Sequence, residues 1–103
     1  MVDSRRLMSE LKMEEFANVW DAIADTPEEA ANLHLRSELM DEIEAIIKQY
    51  GWTQAEAAKR CRVTQPRIND LLRGRISRFS IDALVNIASA LGRKVRVSLD
   101  NAA

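Results

Sequence analysis

Residues 54–74 read QAEAAKRCRVTQPRINDLLRG, and this stretch decides the fold of the chain. Small and apolar residues recur in it at helical spacing, in two short segments. We predict two short helices joined by a tight turn, with Thr64 capping the second helix and Gly74 ending it. The buried set expected to pack this pair consists of Ala57, Ala58, Cys61, Val63, Ile68 and Leu71. The polar set expected on the outside of the second helix consists of Thr64, Gln65, Arg67, Asn69, Asp70 and Arg73.

Start and stop signals on both sides of that stretch predict further helices. Residues 26–29 read TPEE, which combines a capping threonine, a proline for the first turn and a capping-box glutamate. Apolar residues then recur every three to four positions as far as Gly51, and a second capping box begins at Thr53. Ser80 begins one more amphipathic helix, which ends at Gly92. The predicted fold class is therefore all-α, a compact bundle of about five helices with its main domain at residues 26–92.

The N-terminal segment, residues 1–25, is predicted to be partly helical. Four apolar residues at helical spacing predict a short amphipathic helix near its end. Two interpretations of this apolar stripe are open, because it can pack into the core or bind a partner protein. The stripe consists of Phe16, Val19, Trp20 and Ile23.

Residues 93–103 break the helical rhythm, and we predict one short β-strand followed by a tail. Apolar and polar residues alternate there, which is typical of a strand with one apolar face. A lone strand leaves its backbone hydrogen bonds unpaired, so this strand needs a partner. The simplest partner is a second copy of the chain, although another protein's sheet edge would serve equally well. The predicted dimerisation contact consists of Val95, Val97 and Leu99.

Composition excludes several classes of protein. The chain has 103 residues with only 3 Gly and 2 Pro, which favours one small helical domain over an all-β fold. A single cysteine cannot form an internal disulfide, so we expect a cytoplasmic protein. No run approaches the roughly 18 apolar residues of a membrane span, and we expect no membrane partner.

Charge is unevenly distributed along the chain. Residues 1–50 contain five basic and twelve acidic residues, a net charge of −7, whereas residues 51–103 contain ten basic and four acidic residues, a net charge of +6. The overall charge of −1 therefore conceals a basic half. Such asymmetry favours contact with nucleic acid through that half.

Residues that carry out chemistry are sparse. His34 is the only histidine and Cys61 the only cysteine, and neither belongs to a nucleophile–base pair or a metal-ligand cluster in the sequence. A phosphate-binding glycine-rich loop is missing as well. We therefore predict no enzymatic activity, no metal and no cofactor.

Gln54, Ala58 and Gly74, together with the apolar positions of residues 54–74, resemble the lambda-repressor-like (Xre-type) helix-turn-helix domain. The resemblance covers residues 36–99. More narrowly, the segments WTQAEAA, VTQPRINDLLRG and FSIDAL resemble a group of compact Xre-type proteins. Many of that group are HigA-like antitoxins, which partner RelE-like mRNA-cleaving toxins. One position departs from the family, because Arg62 occupies a turn position that is usually glycine; we expect Arg62 in the left-handed region at some strain.

The resemblance also implies roles for polar side chains. Gln54 is expected to bind a phosphate at the start of its helix, and Thr64 to lie near the DNA backbone. Gln65 and Arg67 are expected to read base edges, because Gln pairs with adenine and Arg with guanine, each pair giving roughly 1–3 kcal/mol of discrimination.

Five further residues are assigned to DNA by the same resemblance. Asn69 is a further contact of the second helix, and Asp70 either accepts a hydrogen bond from cytosine or repels phosphate. The phosphate-binding residues implied after the second helix are Arg73, Arg75 and Arg78.

The function implied is that of a dimeric, sequence-specific DNA-binding repressor. Its two recognition helices would enter successive major grooves of a palindromic operator, roughly 34–36 Å apart. The narrower resemblance implies an antitoxin that autoregulates its operon and neutralises a RelE/HigB-like toxin. Two alternatives are open: a stand-alone Xre-type regulator with no toxin, and a protein-interaction module that does not bind DNA.

Overall fold

The computed structural model describes residues 26–101. Over this range the chain forms four α-helices: α1 (Pro27–Tyr50), α2 (Gln54–Cys61), α3 (Gln65–Leu72) and α4 (Ile81–Ala90). A 3₁₀ turn, Ile76–Arg78, lies between α3 and α4. The predicted all-α character is confirmed for these residues. The fifth helix, predicted from the stripe of Phe16, Val19, Trp20 and Ile23, lies outside the described residues.

Contacts divide the chain into two compact units, residues 1–35 and 36–103, with the boundary inside α1. The described part of the first unit is the beginning of α1. There the Thr26 Oγ1 accepts a hydrogen bond from the backbone N–H of Glu29 at 3.1 Å, which confirms the predicted cap. The second unit contains the rest of the described chain and all the residues considered below.

Hydroxyl caps begin the three shorter helices. Thr53 Oγ1 accepts from the Glu56 N–H at 3.2 Å at the start of α2, and Ser80 Oγ accepts from the Ala83 N–H at 3.1 Å at the start of α4. Thr64 caps α3 in the same way. Each cap satisfies one of the N–H groups that a helix leaves unpaired at its beginning. The three predicted helix starts are confirmed.

The four α-helices of residues 26–101 all end in the same backbone motif, with a left-handed residue after the last turn. Gly51, Gly74 and Gly92 occupy that position in three of them. In α2 the residue is Arg62, with φ 58° and ψ 40°. Its conformation confirms the expected left-handed turn, a region that a Cβ disfavours.

One buried apolar cluster holds residues 36–101 together. Each of the four helices contributes one face to it, and Phe79, between α3 and α4, contributes a whole ring. Val63, predicted to be buried, is half-buried against the cluster. The cluster consists of Met40, Ile43, Ile47, Ala57, Ala58, Cys61, Ile68, Leu71, Phe79, Leu84 and Ile87.

Residues 93–101 form neither helix nor strand, and the described chain as a whole contains no strand. The predicted strand is therefore not confirmed. A β-strand needs a neighbouring strand to pair its backbone hydrogen bonds, and residues 26–101 contain no such neighbour. Val97 and Leu99 are 63% and 96% exposed, whereas Val95 is half-buried. Dimerisation through Val95, Val97 and Leu99 stays a prediction.

Candidate nucleic-acid interface

The beginning of α3 is open to solvent. Thr64 Oγ1 accepts from the Arg67 N–H at 3.4 Å, and Gln65 and Pro66 occupy the first turn. Thr64, Gln65 and Pro66 are all exposed. Proline is tolerated there because the N–H groups of a first helical turn have no intrahelical partner. The first turn of α3 can therefore meet a groove of DNA with Gln65 on its surface.

A second exposed helix start is that of α2, where Gln54 is the first helical residue. Close to it in sequence, the rings of Tyr50 and Trp52 stack with centroids 4.9 Å apart. The guanidinium of Arg60 lies 5.6 Å from the centroid of Trp52 and also binds the carboxylate of Glu56 at 2.8 Å. These contacts stabilise the junction of α1 and α2 and leave Gln54 exposed.

Asp70 is buried at the far end of α3 and binds two arginines. Its Oδ1 accepts from Arg75 Nη1 at 3.1 Å and from Arg78 Nη1 at 3.0 Å. Its backbone carbonyl also accepts from the Arg75 N–H at 3.0 Å. The Asp70 side chain is only 12% exposed, whereas those of Arg75 and Arg78 are 38% and 55% exposed. Each arginine therefore keeps part of its side chain at the surface while its Nη1 is bound to Asp70.

Arg67 turns back onto the loop that follows its own helix. Its Nη1 donates to the carbonyl oxygen of Arg78 at 2.7 Å, and its guanidinium carbon lies 4.3 Å from the centroid of the Phe79 ring. The position over the ring face is that of a cation–π contact. In this arrangement Arg67 is half-buried and stabilises the main chain of the loop.

Arg36 holds the same loop from α1. Its Nη1 donates to the carbonyl oxygens of Ile76 and Phe79, both at 3.2 Å. A charged donor that serves two carbonyls satisfies backbone groups which the 3₁₀ turn leaves without helical partners. The α3–α4 loop, residues 73–80, is thus held by α1 through Arg36 and by α3 through Arg67 and Asp70.

The two remaining predicted DNA contacts lie on the last turns of α3. Asn69 is half-buried, and its carbonyl accepts from the Arg73 N–H at 3.0 Å. Arg73 caps the end of α3 and is exposed. The structure therefore brings Arg67, Asp70, Arg75 and Arg78 into one network, and it leaves Gln54, Gln65 and Arg73 on the surface.

The structure corrects the predicted outer face of α3. The prediction that Asp70 lies on the outer face is wrong, because the residue is buried and its carboxylate binds Arg75 and Arg78. Arg67 is only half-buried and points along the loop. Arg36 was not predicted to have a functional or structural role. Its position at helical spacing from the buried Met40 and Ile43 could have indicated that it faces the interior. The contacts of all these residues with DNA stay predictions.

An open groove of about 450 Å³ is lined by the end of α2 and the turn after it, by Arg67 of α3 and by residues of α4. Cys61 lies on its wall, and burial raises the pKa of the Cys61 thiol, so this thiol is poorly suited to act as a nucleophile at neutral pH. Burial, with the charges of Glu44 and Glu38, also raises the pKa of Asp41 on α1.

Two further features of residues 26–101 bear on metal binding and on membrane insertion. Among residues 26–101, no three His, Cys, Asp or Glu side chains are grouped so that they could hold a metal ion. Over the same range, none of the helices combines the length and the apolar character that crossing a bilayer requires.

Comparison with known protein families gives a match over most of the chain. A family model described as a helix-turn-helix domain matches residues 22–100, which includes every described helix. No curated protein matches the chain. The matched range is well over half of the sequence, and it contains the open first turn of α3 and the arginine network behind it. The chain belongs to the helix-turn-helix domain family, whose domain indicates a DNA-binding regulator.

Proposed function

We propose that the chain is a sequence-specific DNA-binding repressor that binds a palindromic operator as a homodimer. The observation that carries the proposal is the arrangement of polar side chains at the two ends of α3. Gln65 is exposed on the first turn, and Arg75 and Arg78 are anchored just beyond the last turn. Base edges are read by such a first turn, and phosphates are bound by such arginines.

Charge supports the same proposal. Residues 51–101 contain ten basic and four acidic residues, and two of the four acids already bind arginines, Glu56 to Arg60 and Asp70 to the loop. The remaining cations favour a polyanion over a neutral or acidic protein surface. We propose homodimerisation through the exposed segment containing Val97 and Leu99. A two-fold axis then relates two α3 helices, as binding to the two half-sites of a palindrome requires.

The test is a gel-shift measurement with the DNA immediately upstream of the chain's own gene, in the presence of excess random competitor. We expect a shift that survives the competitor. Gln65→Ala should lower affinity by about 1–3 kcal/mol and relax preference at one operator position. Arg75→Ala should weaken binding to all sequences alike and reduce the salt slope by about 1.

Two outcomes would contradict this assignment. A well-folded dimer that gives no sequence-specific shift would overturn DNA recognition and favour the alternative of a protein-interaction module. Indistinguishable behaviour of Gln65→Ala and Arg75→Ala would mean that base reading and phosphate binding are not divided between these two residues.

We further propose that the repressor is an antitoxin that neutralises a RelE/HigB-like toxin. The supporting observation is the alternating segment at residues 94–101, which has no secondary structure and is exposed except at Val95. A segment of this kind can add as a strand to a sheet edge of another protein. The acidic N-terminal half would complement a basic toxin. Co-purification with the product of a small basic reading frame beside the gene is the expected result. A gene with no such neighbour would favour a stand-alone regulator.

A further inference from the structure

Asp70 is the one acidic residue between positions 57 and 81, a stretch that contains seven basic residues. A carboxylate among groups that meet phosphate opposes DNA binding by simple charge. It is also buried, and a buried charge is costly unless it is paired. Its presence therefore calls for a function other than direct contact with DNA.

The geometry of its contacts suggests that function. One oxygen of Asp70 receives Nη1 of both Arg75 and Arg78, so the two guanidiniums converge on a point that belongs to α3. Gln65 is carried by the same short helix. The positions of the phosphate-binding arginines are thereby fixed relative to the residue that reads bases.

We propose that Asp70 is a specificity-determining positioning residue, which holds Arg75 and Arg78 in one register with the recognition helix. This inference rests on the proposed DNA-binding function. Arginines on flexible side chains adapt to phosphates at any register, and so they favour all DNA equally. Arginines held by Asp70 meet phosphates well only when α3 is seated on its operator.

Release of the arginines need not disturb the loop itself. Arg36 binds the carbonyls of Ile76 and Phe79, and Arg67 binds the carbonyl of Arg78. The main chain of residues 76–79 is therefore held independently of the Asp70 carboxylate. This separation makes Asp70→Asn a suitable test, because asparagine has the same shape and lacks the charge.

The experiment compares the dissociation constants of the full chain for its operator and for a random duplex of equal length, by fluorescence anisotropy at several salt concentrations. With Asp70→Asn we expect tighter binding to the random duplex and a salt slope steeper by about 1–2, since two arginines are released. The operator should gain less, so the ratio of the two affinities should fall about tenfold.

A matched control is Glu56→Gln. Glu56 is also a carboxylate bound to an arginine, at 2.8 Å from Arg60 Nε, and its loss changes the net charge equally. We expect the affinity ratio of this variant to equal that of the unmodified chain. An unchanged ratio in Asp70→Asn, with both affinities altered by one factor, would overturn the inference.

A second variant covers the case in which Asp70→Asn does not fold, as judged by circular dichroism. Arg78→Lys keeps the charge on a side chain that is 55% exposed and removes the planar guanidinium that Asp70 fixes. Its ratio of operator affinity to random-duplex affinity should fall, and an unchanged ratio would again overturn the inference. An unmodified chain with a ratio of one would overturn the proposed function itself and the inference with it.

Discussion

The two connections on either side of α3 are built by different means. The α2–α3 turn, residues 62–64, is closed by backbone hydrogen bonds, from Arg62 N–H to the Lys59 carbonyl and from Val63 N–H to the Ala58 carbonyl. The α3–α4 loop begins with the same backbone motif at Gly74. Charged side chains then hold its remainder, as described above for Arg36, Arg67 and Asp70.

The connection before α3 is therefore held by uncharged backbone groups, and the connection after α3 is held largely by charged side chains. Backbone closure at the start of α3 depends little on salt and leaves the first turn exposed for a ligand. Side-chain closure at its end uses groups that themselves attract phosphate, so the arrangement of the loop and its affinity for an anion are physically coupled. The variants below test whether the two connections differ in this way, and they are ordered by the size of the expected effect.

The largest effect is expected from Phe79→Ala, in the α3–α4 loop. Phe79 is 1% exposed and lies beneath the Arg67 guanidinium. Its removal should lower the free energy of unfolding by about 3–5 kcal/mol, measured by urea denaturation. Phe79→Leu keeps most of the volume and should cost less than about 1.5 kcal/mol. Equal losses for the two variants would show that the aromatic contact with Arg67, rather than buried volume, anchors the loop.

A smaller loss is expected from Arg36→Met. The methionine keeps the apolar stem and leaves the carbonyls of Ile76 and Phe79 without their donor, which should cost about 1–3 kcal/mol of unfolding free energy. Arg36→Lys, which retains a charged donor without the planar fork, should lie between this variant and the unmodified chain. If Arg36→Met left the free energy of unfolding unchanged, the Arg36 guanidinium would not stabilise the α3–α4 loop. The proposed difference between the two connections would then be wrong.

The smallest effect, and a gain, is expected from Arg62→Gly in the α2–α3 turn. Glycine accepts φ 58° without a Cβ penalty, although its unfolded state has more freedom to lose. We expect an increase of about 0.5–1 kcal/mol in the free energy of unfolding. Arg62→Ala removes the charge but not the strain, and it should show no gain. An equal gain in both variants would indicate charge repulsion rather than backbone strain at this turn.

The parts of the fold that depend on neighbouring residues could be predicted from the sequence. Thr53, Thr64 and Ser80 were identified as caps because the hydroxyl and the N–H it binds are only three residues apart. The left-handed turn at Arg62 was predicted from its position in the motif, and the apolar spacing of α3 identified its buried side. These features depend on residues that are close together in the chain, so residue type and spacing are enough to predict them.

The network around the α3–α4 loop could not be predicted in the same way. Arg36 binds carbonyls 40 and 43 residues away, and such a pairing depends on how α1 packs against the loop. Asp70 is a charged residue in a short amphipathic helix, and its residue type alone predicts exposure. The arginines that bind it, Arg75 and Arg78, come after the end of the helix. Long side chains choose among several partners by tertiary position, so residue type alone does not identify the contact.

The burial of Asp70 has a consequence for how such a protein could change its target. The buried contacts of α3 are made by Ile68, Asp70 and Leu71, whereas Gln65 is exposed on the first turn. Substitutions at position 65 therefore leave the supporting contacts intact. A lineage, or a laboratory library, could alter this position and acquire new operators while retaining the same scaffold.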